Sequence, residues 1–227
     1  IGGDGSMLGA ARALVDYDTP LLGINRGQLG FLTDVPTHEL ESRIDSVISG
    51  KYILEKRFLL DMTLERDGET VGQSPALNEI VLHPGKTTRI IAFELFINGQ
   101  FVSSQRADGM IIATPTGSTA YALSGGGPII HPKLDAVLLL PMFPHTLNSR
   151  PIVLDGDSLL KLVIGQENGI WPTVSCDGQV HIAAAPNDII TISKKKKQLS
   201  LVHPADYNYY HVCRAKLGWS SRLNKIN

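Results

Sequence analysis

Four short stretches hold the residues with the most chemical potential. Gly2-Gly3-Asp4-Gly5-Ser6 sets a carboxylate inside a glycine-rich turn. Glycines let the backbone turn sharply and come close to a ligand. The free N–H groups at the start of a following helix suit a phosphate. Asp4 in such a loop could act as a general base toward an alcohol, or help hold a metal bound to phosphates. A plain strand-to-helix turn with Asp4 as the cap would use the same residues. Leu22 to Leu32 supplies a second glycine-rich turn one helix later. Two such loops side by side at one sheet edge form the usual ligand position of an open α/β sheet, although a loop that merely turns would read the same.

Asn78 and Glu79 interrupt the apolar run Leu77 to Leu82. A polar pair there is costly to bury without partners. It could read adenine and ribose hydroxyls, or it could sit at an exposed strand edge. The densest stretch begins at Arg106-Ala107-Asp108-Gly109 and continues through Thr114-Pro115-Thr116-Gly117-Ser118-Thr119-Ala120-Tyr121-Ala122-Leu123-Ser124 to Gly125-Gly126-Gly127-Pro128. Pro115 stops a strand, Ser118 or Thr119 can start a short helix, and the glycines end it. Small hydroxyl residues around one aromatic make poor core and a good nucleotide cradle, with Tyr121 as a stacking face. Asp177-Gly178-Gln179 reads as a hairpin turn. His83, His131, His145, His181, His203 and His211 show no metal-ligand spacing and read as structural or surface residues. No Ser/His/Asp or Cys/His arrangement can be argued.

These residues need elements to position them, and two regimes are visible. Ser6 can cap a helix whose apolar face is Met7, Leu8, Ala11, Leu14 and Val15. A strand over Leu21–Ile24 follows. An amphipathic helix over Thr37–Ile48 (Leu40, Ile44, Val47, Ile48) closes at Gly50. From about Lys56 the period becomes two. Leu60, Met62 and Leu64 lead to a hairpin at Asp67-Gly68, and Phe93, Leu95 and Ile97 to one at Asn98-Gly99. Further strands are predicted at Leu77–Leu82, Gly109–Ala113, Pro151–Leu154, Leu159–Ile164, Thr173–Cys176 and Asp188–Ser193. Tyr207 to Trp219 returns to a helical pattern.

The expected fold class is α/β plus β. A Rossmann-like α/β domain over 1–55 carries the Asp4 loop, and a β-rich, sandwich-like domain over 56–203 follows. A segment over 204–227 packs back on the first domain, and the site is expected between the domains. Because the chain opens on Ile1 with no strand ahead of the glycine turn, a preceding portion is expected.

The 227 residues are 43% hydrophobic and 19% charged, with net charge −1. That length can bury a proper core. The near-neutral balance argues against a nucleic-acid partner, whose affinity would come from clustered Lys and Arg. Lys194 to Lys197 reads as four solvated lysines at a strand edge or turn. No apolar stretch reaches the roughly 20 residues of a membrane span, and no secretory signal opens the chain. Cys176 and Cys213 read as reduced thiols rather than a disulfide framework. A soluble cytoplasmic protein is expected.

Taken in order, GGDGS, LGINRGQLGFL, LNE, DGMIIATPTGSTAYALSGGGP and PMFPHTL resemble the bacterial NAD kinases, the enterobacterial type in particular. The likeness runs from Ile1 to the KLGW near the C-terminus. The TPTGSTAY block is highly specific, whereas GGDG is shared with phosphofructokinases and diacylglycerol-type lipid kinases. The resemblance implies transfer of the γ-phosphate of ATP to the 2′-hydroxyl of the adenosine ribose of NAD, giving NADP. It implies Asp4 as proton acceptor, with Gly5 as its phosphate-side neighbour and Phe31 lining the same cleft. Asn78 and Glu79 would contact the adenosine part of NAD. Arg89, Arg106 and Asp108 fall on NAD-contacting positions. Thr119, Ala120, Tyr121, Ala122, Leu123 and Ser124 match the adenine and ribose cradle, and Gln179 a further substrate contact. Mg²⁺ would arrive with ATP rather than sit in a protein cage. A homotetramer or other homo-oligomer is implied.

A phosphofructokinase would share the first loop. It predicts a second acidic motif of the Thr-Ile-Asp-Asn-Asp kind and an Arg-rich sugar-phosphate pocket, and neither is present. A lipid kinase lacks the TPTGSTAY block. A non-catalytic NAD(P)-sensing module is the alternative of a different class, and the intact Asp4 speaks against it.

Overall fold

The computed structural model describes residues 1–27, 30–146 and 148–219. Gln28 and Leu29 of the second glycine-rich stretch, Leu147 of PMFPHTL, and 220–227 of the C-terminal segment lie outside the described residues. The chain divides into two compact units, one of Ile1–Lys56 with Leu199–Asn227, the other of Arg57–Gln198. It passes from one to the other within strand Tyr52–Arg66 and returns within strand Ile189–Pro204.

In the first unit a helix spans Asp4–Leu14 and buries Met7, Leu8 and Ala11; with Val15, buried in the 3₁₀ turn that follows, four of the five positions that the helical spacing selects are core. Its N-cap is Gly3, not Ser6, and no side chain caps it, so Asp4 stands in its first turn. The acidic side chain there suits the positive end of the helix dipole. The strand expected over Leu21–Ile24 is two short ones, Leu21–Leu22 and Ile24–Asn25. Gly23 breaks it, where a Cβ would run into the Leu32 carbonyl and the end of Met7. Leu21 and Leu22 pair in parallel with Leu201 and Val202, and Ile24–Asn25 pairs in parallel with Val35–Pro36. The second helix is α only over Leu40–Ile48, behind a 3₁₀ turn at Thr37–Glu39. Its apolar face is not core, because none of its residues is buried and Ile48 is 79% exposed. A last helix, Tyr209–Leu217, is capped by the Asn208 side chain and stopped by Gly218 in the left-handed region.

The second unit is a sandwich of two sheets. One sheet orders its strands Glu69–Ala76, Tyr52–Arg66, Ile189–Pro204, Leu160–Ile164, Ile91–Ile97 and Gln100–Ala107. The other runs Ile152–Asp155, Ala136–Met142, Gly109–Ala113, Glu79–His83, Thr173–Cys176 and Val180–Ala183. The period-two pattern decides which side chains meet. Leu60, Met62, Leu64, Phe93 and Leu95 of the first sheet pack against Ile80, Leu82, Met110, Ile112, Val137 and Leu139 of the second. The intervening Val81, Ile111, Ala113, Leu138 and Leu140 face the other way and pack with Ala122 and Ile130. The central strands of the second sheet are thus covered on both faces, which explains their near-continuous apolar runs.

Three hairpins carry the left-handed pairs that Asx-Gly turns require: Asp67-Gly68, Asn98-Gly99 and Asp177-Gly178. The lysine run lies inside the 16-residue strand Ile189–Pro204, not in a turn. Lys194 bonds Asp135 and Asp157, and Lys195 pairs with Asp61, so Lys194 and Lys195 are half-buried and paired rather than solvated. Cys176 and Cys213 are buried thiols, not joined in a disulfide. No helix is long and apolar enough to cross a membrane among the described residues.

Candidate active site

In the first unit the chemistry centres on Asp4. Its Oδ2 accepts the Phe31 N–H at 2.8 Å. Its Oδ1 accepts the N–H groups of Leu32 and Thr33, both at 3.2 Å, and the Thr33 hydroxyl at 3.0 Å. Four donors fix the carboxylate, yet Oδ2 takes only one of them and retains a lone pair for a substrate proton. Gly30 permits this approach, since a Cβ there would strike both Asp4 Oδ1 and Thr33 Oγ1. Asn25 supports the same loop by donating to the Thr33 carbonyl and hydroxyl oxygens. Gly5 follows Asp4 within the helix and is exposed, and Phe31 is half-buried. The second glycine-rich loop is therefore the mount of the first, a role its composition alone did not reveal.

In the second unit the Leu77–Glu79 segment is anchored from two directions. Asp177 Oδ2 accepts the Leu77 N–H at 3.0 Å, while Oδ1 accepts Asn78 N–H at 2.7 Å and Glu79 N–H at 3.2 Å. Asp177 returns its own N–H to the Glu79 carbonyl. From the other side Thr114 donates its hydroxyl to the Leu77 carbonyl at 2.6 Å and its N–H to the Asn78 carbonyl. Gly117 lies so close to the Asn78 backbone that no Cβ fits between them. Arg57, buried under this loop, donates to the Thr116 hydroxyl.

With 9% and 7% exposure, Asn78 and Glu79 are buried, which overturns the exposed-edge alternative. Glu79 is also unusual electrically. Burial, and then the Asp177 charge, push its carboxyl up to about 8, against a hydrogen bond with the Tyr121 backbone. Its Oε2 is buried with no hydrogen-bond partner among the described residues. A protonated carboxyl with an unused oxygen is poised for a ligand that brings donors.

A cavity of about 550 Å³ brings together three of the expected residues, Glu79, Asp108 and Tyr121, and adds His83, Met142 and Phe143. His83 is held below its ordinary pKa by burial and by His181, whose ring meets it edge-on. Tyr121, 48% exposed, also lines a second cavity of about 610 Å³ with Ser124, Met142 and Phe143. Phe143 is exposed and left-handed, a conformation uncommon outside glycine. Thr119, Ala120 and Leu123 are half-buried, and Thr119 donates to the Thr116 carbonyl. Ala122 is fully buried in the cluster behind the sheet, so its side chain packs. Arg89 lies exposed beside Gly169, Arg106 is exposed on strand Gln100–Ala107, and Gln179 is exposed at the hairpin next to the cavity-lining Gly178.

The chain's likeness to known proteins agrees with both halves of this description. Residues 1–52 match the ATP-NAD kinase N-terminal domain, and residues 77–204 the ATP-NAD kinase C-terminal domain. The NAD kinase of Pseudomonas fluorescens (strain SBW25) is 63% identical over 223 residues, 98% of this chain and 75% of that protein. The chain belongs to the NAD kinase family. The enzyme from Pseudomonas aeruginosa (strain PAO1) is likewise 63% identical, over 98% of this chain and 76% of its own length. Among solved structures, yeast NADH kinase complexed with NADH superposes with a TM-score of 0.89 at 30% identity, over all of this chain and 67% of that one. An NAD kinase from Archaeoglobus fulgidus in complex with ATP gives 0.74 at 27% identity, over 96% and 79%. A phosphotransferase of the NAD kinase family, and not a sugar kinase sharing one loop, is what the matches across both units describe.

Proposed function

We propose that the chain transfers the γ-phosphate of ATP to the 2′-hydroxyl of the adenosine ribose of NAD, forming NADP, with Asp4 as the general base. The observation that carries the reading is the cavity in which Glu79, Asp108 and Tyr121 meet. Two acidic side chains there accept from ribose hydroxyls and an adenine amine, and the Tyr121 ring offers a face for the base. Asn78 adds an amide beside Glu79. Arg89, Arg106 and Gln179 contribute from the exposed surface, and Thr119, Ala120, Leu123 and Ser124 complete the cradle. Ala122 acts there through packing.

Asp4 takes the proton of the attacking hydroxyl at Oδ2, a contribution of about 10²–10⁴-fold in rate. The remainder comes from alignment and from charge stabilisation by Gly5 and the N–H groups at the helix start. Among the described residues no three His, Cys, Asp or Glu side chains group as a metal site. A Mg²⁺ ion carried by the triphosphate would offset charge on the transferring group. Exposed apolar residues on edge strands of both sheets, Phe101 and Val102 on one and Ile152 and Val153 on the other, support a homo-oligomer such as a tetramer. Two buried thiols outside any disulfide support work in the reducing cytoplasm.

A coupled assay of NADP formation from NAD, ATP and Mg²⁺ tests this. Asp4→Asn is expected to abolish turnover and spare NAD binding. Near wild-type turnover in that variant would sink the general-base assignment, and NAD(P) binding by an inactive wild type would favour a sensor instead.

A further inference from the structure

His203 is the penultimate residue of strand Ile189–Pro204, and its side chain is 1% exposed. The ring lies between two carboxylates of the first unit. Nδ1 is 2.9 Å from Asp34 Oδ2, and Nε2 is 3.5 Å from Glu55 Oε2. The Tyr207 ring stacks on it at 3.9 Å, inclined by 15°. A neutral imidazole has one N–H, so it can face only one of the two carboxylates as a donor, whereas an imidazolium faces both. Burial lowers the pKa of this ring, but Asp34 and Glu55 outweigh burial and hold it above the ordinary value. Further charges, Glu39, Arg43, Asp206, His211 and Arg214, line a cavity of about 630 Å³ beside Asp34. Arg43 there is already engaged by Glu39 and Asp206.

What gives this cluster a consequence is the position of Asp34. It directly follows Phe31–Thr33, whose N–H groups and hydroxyl hold the Asp4 carboxylate. On one side the segment is closed by the Gly30 N–H to the Thr33 carbonyl, and on the other by the Val35 N–H to the Gly23 carbonyl. Between those two backbone bonds Asn25 holds Thr33, and the Asp34 side chain adds a further tether, with His203 as its partner. We infer that His203 is a positioning residue for phosphoryl transfer, holding through Asp34 the Phe31–Thr33 segment that aims Asp4. The inference rests on the reading of Asp4 as the base. As pH rises and the ring loses its proton, both ion pairs go, a single hydrogen bond at most remains, and the segment loosens. Turnover falls on the alkaline side while nucleotide affinity in the second unit stays unchanged.

The test compares kcat and KM of wild type and His203→Gln from pH 6 to pH 9.5, with ATP, Mg²⁺ and NAD. Glutamine can donate to Asp34 but cannot titrate. The expected result is a kcat about 10- to 100-fold lower, as for a misaimed catalytic group, with KM for NAD within about twofold. The alkaline fall of the wild type should be absent from the variant. Wild-type kcat in His203→Gln, or an alkaline fall that persists in it, overturns the inference. Should that variant not fold, Asp34→Ala cuts the same tether, and an unaltered kcat there overturns it equally. Nuclear magnetic resonance of ¹³C-labelled histidine in the wild type adds a direct reading, and a His203 ring already neutral at pH 7 refutes the clamp. An active wild type, an inactive Asp4→Asn and an unaltered His203→Gln would refute this inference alone. Turnover by Asp4→Asn would instead refute the proposed base.

Discussion

Glu79 gives the most quantitative consequence of the site. The residue is 7% exposed, one of its oxygens has no partner among the described residues, and burial with the nearby Asp177 raises its pKa from 4.5 to about 8. Between those two values the unfolded chain has released the proton and the folded chain retains it. Stability therefore falls as pH rises through that window, by about 1.4 kcal/mol per pH unit at full strength. By pH 7 the penalty amounts to ~3 kcal/mol, and water entering around the charge reduces what is measured to roughly 2 kcal/mol. Glu79→Gln keeps the shape and one acceptor oxygen but cannot ionise.

The new amide N–H₂ brings its own cost, because it replaces an oxygen that has no partner. That cost is the same at every pH, so the change of the difference with pH is the diagnostic. Urea unfolding of both proteins at pH 5, 6, 7 and 8 measures it. The variant should gain on the wild type by about 2–3 kcal/mol between pH 5 and pH 8. A difference that stays flat, or that favours the wild type increasingly toward pH 8, would show that Glu79 ionises in the ordinary carboxylate range and would refute the argument.

Two further outcomes are expected from the scaffold around that carboxyl. Asp177→Ala strips the acceptor from three buried N–H groups, so urea unfolding should show a loss of about 3 kcal/mol or more. A loss below about 1 kcal/mol would mean that water replaces the clamp. Gly117→Ala places a methyl against the Asn78 backbone, where no rotamer change can relieve it. It should cost about 1–3 kcal/mol and raise KM for NAD. Gly126→Ala, left-handed but with open space around it, should cost only about 1 kcal/mol and leave KM unaltered.

The sandwich was legible because its signals are local. Period-two alternation at Leu60–Leu64 and Phe93–Ile97, and the Asp-Gly and Asn-Gly pairs, are set by neighbours in the chain, and the structure has both hairpins there. Misreadings arose where a distant contact overrides local preference. Ser6 is a good cap by type, yet the helix starts at Asp4, whose side chain is drawn to a loop nearly thirty residues later. By sequence alone the strand at Asp188 ends at Ser193. The lysines that follow look solvated in isolation, but Asp135, Asp157 and Asp61 pair with two of them and the strand continues to Pro204.

The same division runs through the site. The residues proposed to meet substrate are chemically unusual where they stand: a carboxylate among glycines at Asp4, a polar pair inside an apolar run at Asn78-Glu79, hydroxyls around Tyr121. Residues that hold them in place had no such contrast. Asp177 is an ordinary turn residue by sequence, because the φ of 52° that the hairpin needs is one that Asp tolerates. Only the fold shows that the same turn points its carboxylate at N–H groups about a hundred positions earlier. His203, one histidine among seven, becomes distinctive only when the chain brings Asp34 and Glu55 to its two nitrogens. A sequence can mark the groups that do chemistry, because their type is wrong for their surroundings. It cannot mark the groups that aim them, because that role is a matter of distance, and distance is settled by the fold.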